Sequence, residues 1–105
     1  MIKPELWIVR TADLNLEQRG AFMTLLAHAW LSDPPCTLPV GDEDLARLSG
    51  LGTRWRRLGG AIRAKFDVIE GRLANRDQLG EYAAVVRRAV AGRKGAEARW
   101  RHEAN

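Results

Sequence analysis

The chain has 105 residues, 46% hydrophobic and 29% charged, which suits one small globular domain with a modest core. Its single cysteine, Cys36, excludes an internal disulfide; no apolar run approaches the roughly 18 residues of a membrane span, and that of MIKPELWIVR is too short for an export signal, so a cytoplasmic setting is expected. The net charge of +4 is unevenly placed: residues 1–52 hold four basic and seven acidic groups and residues 53–105 hold thirteen and six, an acidic half joined to a basic one.

In chain order, Pro4 to Arg10 reads as extended or irregular, with Trp7, Ile8 and Val9 packing on the core as a short edge strand. Asn15 offers an N-cap, and Gln18 follows three residues on, the spacing of a capping box. These signals predict a helix over 15–31 whose apolar face is Phe22, Leu25, Leu26, Ala29 and Trp30. Gly20 costs helix propensity there and predicts close backbone packing. Asp33-Pro34-Pro35 ends the helix, and Cys36 to Gly41 reads as a loop touching the core through Leu38 and Val40. Asp42 or Asp44 caps a second helix over 42–49, with Leu45 and Leu48 inward and Gly50 closing it. Thr53 caps a third helix over 53–65. Its buried stripe is Trp55, Leu58 and Ile62; a separate stripe of Arg54, Arg57, Ala61 and Lys65 faces solvent or a ligand. Gly59 and Gly60 weaken its centre, as the close approach of a neighbouring element or a phosphate would require. Residues 66–74 read as a hairpin in which Phe66, Val68 and Leu73 alternate with polar positions and Glu70-Gly71 turns. A fourth helix over 76–91 carries Leu79, Ala83, Val86 and Val90 on one face, and GRKGAEARWRHEAN follows as a basic tail that orders when it meets a partner.

The expected fold class is therefore α+β and mostly helical: a winged helix, meaning a helix-turn-helix plus a β-hairpin wing, over residues 1–91, with a basic C-terminal helical tail over 92–105. Ala46 and Gly50, four apart, let the two helices of the turn cross closely. The third helix carries Arg54, Arg56, Arg57, Arg63 and Lys65 with no acid among them, as a helix laid in a DNA major groove would. Arg72 and Arg76 could reach phosphates as a wing does, or pair with Asp67, Glu70 or Asp77. Arg87, Arg88, Arg93, Lys94, Arg99 and Arg101 could follow a backbone through counterion release, or stay solvated. The expected DNA contacts are Arg54, Arg56, Arg57, Arg63, Lys65, Arg72, Arg76, Arg93, Lys94 and Arg99. Trp100 is a further candidate, whereas Trp7, Trp30 and Trp55 belong to the core.

No catalytic or metal constellation emerges. His28 and His102 lie far apart, and His28, among apolar residues, reads as packed or half-exposed. Cys36 has no base near it in sequence, and Asp42, Glu43 and Asp44 are explained by a helix start. No glycine-rich phosphate loop is present. A non-enzyme without cofactor is expected.

Four segments together carry a family resemblance. TADLNLEQRGAFMTLLAHAW, with Leu14, Leu16, Glu17, Gly20, Ala21, Leu25, Leu26 and Trp30, resembles the opening of the YdaU-like phage and prophage proteins, Phe22 replacing their usual tyrosine. DEDLARLSGLGTRWRRL, FDVIEGRLANRDQL and GRKGAEARW resemble the blocks that follow in that family, so the likeness spans about residues 6–100. It implies similarity to winged-helix replication-initiation modules of phage operons. Many members continue into a longer C-terminal region, and the likeness here ends with the tail motif, which favours a stand-alone DNA-binding or regulatory protein over a helicase loader.

Two functions follow as expectations. One is a DNA-binding protein of phage or prophage origin, acting in replication initiation or transcription regulation on duplex DNA. The other is an adaptor, or an inhibitor of a host complex, that uses the winged-helix shape to bind a host or phage protein. No membrane partner is expected, and homodimerisation is left open.

Overall fold

The structure, a computed structural model, describes residues 3–104, with side chains as far as Arg99. It is mostly helical, with one two-stranded antiparallel hairpin: α1 (Pro4–Arg10), α2 (Leu16–Trp30), α3 (Asp42–Ser49), a 3-10 turn (Gly52–Arg54), α4 (Trp55–Arg63), β1 (Asp67–Ile69), β2 (Arg72–Ala74) and α5 (Arg76–Ala104).

The first element corrects the expected edge strand. Pro4 sits in the first turn of α1, where its missing N–H costs nothing, and Glu5 complements the helix dipole. The Thr11 hydroxyl donates to the Trp7 carbonyl at 2.7 Å, and the Trp7 ring stacks on Phe22 with centroids 5.5 Å apart. Ile8 and Val9 stay exposed.

α2 is built as its sequence implies. The Gln18 N–H donates to Asn15 Oδ1 at 2.8 Å, and the Asn15 N–H donates to Gln18 Oε1 at 2.9 Å, a reciprocal capping box. Phe22, Leu25, Leu26 and Ala29 are buried and Trp30 is half-buried. The expected close contact at Gly20 is absent: apart from its own stretch of helix backbone, no atom lies within 4 Å of where its Cβ would stand. His28 is exposed rather than packed.

After α2 the chain turns through Cys36, which is fully buried at a φ of 62° and donates its N–H to the Ala29 carbonyl at 2.8 Å. Leu38, expected in a loop, pairs antiparallel with Leu73 of β2 through two hydrogen bonds of 2.9 Å. It is buried, whereas Val40 is exposed, contrary to expectation. Leu38 thus extends the hairpin by one bridge. In the hairpin Asp67 faces Ala74, Val68 faces Leu73 and Ile69 faces Arg72. Glu70 and Gly71 turn at φ 50° and 77°, as a two-residue turn of left-handed residues requires. Phe66 and Leu73 are buried, but Val68 is exposed, as are all three residues of β1, the outer strand beside a β2 that Leu38 flanks.

Neither acid caps α3. Gly41 is its N-cap without a side-chain bond, while Gly50 closes the helix at φ 81° as expected. Thr53 likewise caps nothing: the 3-10 turn leads directly into α4, which starts at Trp55. α5 begins with Asn75, whose Oδ1 accepts the Gln78 N–H at 2.9 Å. It does not end near residue 91 but runs to Ala104. Its expected inward face is not buried: Leu79 is half-buried, and Ala83, Val86 and Val90 are exposed. The docked side is that of Asn75 and Gln78, with Tyr82 edge-on to Trp30 at 5.3 Å. One core joins these elements through Leu14, Phe22, Leu25, Leu26, Leu38, Leu45, Leu51, Trp55, Leu58, Ile62, Phe66 and Leu73. Each fully buried side chain of this kind contributes about 1.5–3 kcal/mol.

Candidate nucleic-acid interface

α4 is held by its inward stripe. Trp55, Leu58 and Ile62 are buried against α2 and α3, and the Gln18 side chain donates to the Leu58 carbonyl at 3.1 Å. The Trp55 indole N–H donates to Asp42 Oδ1 at 3.1 Å. Arg63 reaches back as well, donating to the Val40 carbonyl at 2.6 Å and to Asp42 Oδ1 at 3.4 Å. Asp42, expected as a helix cap, instead ties the start of α3 to both ends of α4.

The two glycines of α4 differ. A Cβ on Gly59 would stand 2.4 Å from Trp55 ring atoms, so Gly59 makes room for the indole. At Gly60, apart from the local helix backbone, no atom lies within 4 Å of the corresponding position. Beside them opens a notch of about 300 Å³ lined by Asp42, Trp55, Arg56, Gly59, Gly60 and Arg63.

The ten expected contact residues fall into two groups. Five are engaged within the chain: Arg54 with Glu17, Arg63 as above, Lys65 with Asp13 at 2.6 Å, Arg72 with the Thr37 hydroxyl at 2.9 Å, and Arg76 with Asp67 at 2.6 Å. The hydrogen bond from Lys65 holds the Asp13 carboxyl below the usual carboxylate range. The other five, Arg56, Arg57, Arg93, Lys94 and Arg99, are exposed and make no hydrogen bond or ion pair among the described residues; Arg87 and Arg88 share that state. Arg54 and Arg76 are not removed from use, since exposed ion pairs such as theirs contribute only about 0–1 kcal/mol and a phosphate can displace the carboxylate. The unopposed charge nevertheless lies in two places, the exposed side of α4 and the distal half of α5. Trp100 and Arg101 lie outside the residues whose side chains are described.

Sequence spacing did not reveal Glu17, Asp13 or Thr37 as partners of these cations, because they lie 37, 52 and 35 residues away. Among the described residues, no three His, Cys, Asp or Glu side chains gather as metal ligands, and no helix is long and apolar enough to cross a membrane.

No family model, curated protein or solved structure matches this chain.

Proposed function

We propose that this chain is a non-enzymatic, winged-helix DNA-binding protein of phage or prophage origin, acting in replication initiation or transcription regulation as the YdaU-like resemblance implies. The succession of elements supports the reading: α2, a pairing residue at Leu38, α3, α4, then a hairpin whose second strand takes Leu38 as its neighbour. On this reading α3 and α4 form the helix-turn-helix, α4 enters the major groove and β1–β2 is the wing.

The observation that carries it is the state of Arg56 and Arg57. Both are exposed and unpaired on a helix whose other side is anchored by Trp55, Leu58 and Ile62. A rigidly seated helix presenting unpaired guanidinium groups suits bidentate bonding to guanine O6 and N7. Arg54, held by Glu17, is better suited to a phosphate.

Fluorescence anisotropy on labelled duplex DNA tests this. Binding is expected at low salt, and Arg56→Ala or Arg57→Ala should each cost about 1–3 kcal/mol of affinity for the preferred site. Absence of binding to any duplex at low salt would overturn the reading. The adaptor alternative gains support from a different feature, the exposed face of α5.

A further inference from the structure

The face by which α5 docks on the body does not stop where the body does. Gln78 donates its side-chain N–H to the Leu26 carbonyl at 2.7 Å, and Tyr82 meets Trp30. The contacts advance together along both chains, so α2 and α5 run in the same sense. α2 then ends at Trp30, leaving Leu31 84% exposed, while α5 continues to Ala104. At 3.6 residues per turn, the side that carries Asn75, Gln78 and Tyr82 continues as Val85, Val86, Ala89, Gly92 and Ala96. Val85 and Val86 are 38% and 42% exposed, and every residue from Val85 to Arg99 is exposed. Arg88 and Arg99 fall along one edge of this strip and Arg93 along the other. Residues 85–99 hold five basic groups against one acid, Glu97, and none of the five has a partner among the described residues.

We infer that this strip is a docking surface for an acidic amphipathic α-helix of another protein, seated where a continuation of α2 would lie. Leu31 stands at the junction. Val86 meets the apolar side of the partner helix, with Val85 at its edge on the side of Leu6 of α1, and Ala89, Gly92 and Ala96 let its backbone come close. Glu and Asp residues along its flanks meet Arg88, Arg93 and Arg99. Other occupants fit the strip less fully. A second copy docked arm to arm would set one net charge of +4 against another. Duplex DNA would take the cations but leave the valines in water. This assignment does not rest on the reading of α4.

The test uses the full chain and a fluorescein-labelled peptide of about 21 residues with Leu at the a and d positions and Glu at e and g. Saturable binding is expected by anisotropy. Val86→Asp should weaken it about tenfold while leaving the melting temperature unchanged. Arg88→Glu with Arg93→Glu should weaken it too, and binding should return with a peptide carrying Lys in place of Glu. Failure of the Leu/Glu peptide to bind overturns the inference. So does equal binding by a version with Ser in place of Leu, which would make the attraction purely ionic. A dimer at sedimentation equilibrium that Val86→Asp dissociates would assign the face to a second copy instead.

Discussion

Trp55 is fixed from three directions: by the core beneath it, by Asp42 at its indole nitrogen, and by Gly59 one turn on, whose missing side chain leaves room for the ring. Trp55→Ala should therefore cost about 3–5 kcal/mol, read as a lower urea midpoint at constant slope. The neighbouring glycines give a sharper pair. Alanine is the better helix former at both, yet at Gly59 it would drive a methyl into the indole and cost about 1–3 kcal/mol. At Gly60 it should stabilise by about 0.5–1 kcal/mol, since the space beside it is empty. Equal effects at the two positions would contradict the ring placement. The Lys65–Asp13 pair answers to pH instead. The Asp13 carboxyl is held low in the folded chain by the Lys65 hydrogen bond, so its contribution is present above the unfolded carboxyl's range and is lost as pH falls through the folded one. Asp13→Asn should then lower the melting temperature most near neutrality, with the gap from the parent closing in acid.

Elements were legible in proportion to how local their causes are. α2 could be read because Asn15, Gln18 and the apolar positions that follow act within a few turns. The same spacing recurs at Asn75 and Gln78, where Asn75 caps α5, but Gln78 reaches away to Leu26, and that partner is 52 residues distant. The docked phase of α5 is not legible locally, because alanines and valines occur around much of the helix and the choice of docked side rests on Trp30 and Leu26. α1 looked like a strand because Ile8 and Val9 are adjacent β-branched residues, while Pro4 and Glu5 were the truer signals. The strand-like pairing of Leu38 was hidden for the reason the ion pairs were: its partner Leu73 lies far along the chain. Among the candidate contacts, the places of Arg56, Arg57 and Arg63 on α4 were readable, Arg54 and Lys65 fall just outside that helix, and freedom from internal partners was not readable. The distal part of α5 yields its own prediction. A helix without tertiary packing is marginal in water, and Gly92 and Gly95 each weaken it. Gly92→Ala with Gly95→Ala should raise helix content in far-UV circular dichroism without shifting the thermal transition of the body. A shifted transition would mean the arm packs on the body after all.

At the scale of the molecule, a body carrying α1–α4 and the hairpin holds out a long helical arm, giving extents of 65 × 29 × 20 Å. Both the exposed side of α4 and the arm are cationic, so DNA affinity should fall steeply with salt. If six phosphates are neutralised, log K against log salt should slope by roughly −5. Removing Arg93 or Lys94 should weaken all sequences alike and flatten the slope by roughly one unit per charge. Removing Arg54 should do less, because Glu17 already opposes it. A salt-independent affinity would contradict the proposed partner. The body also contains its own stopwatch. Cys36 is sealed beneath the end of α2, with burial pushing its thiol pKa up, so an alkylating reagent finds nothing to attack until the surrounding structure parts. The rate at which iodoacetamide marks this one sulfur then counts openings of the domain, and any partner that clasps the folded state will be heard as a slower tick.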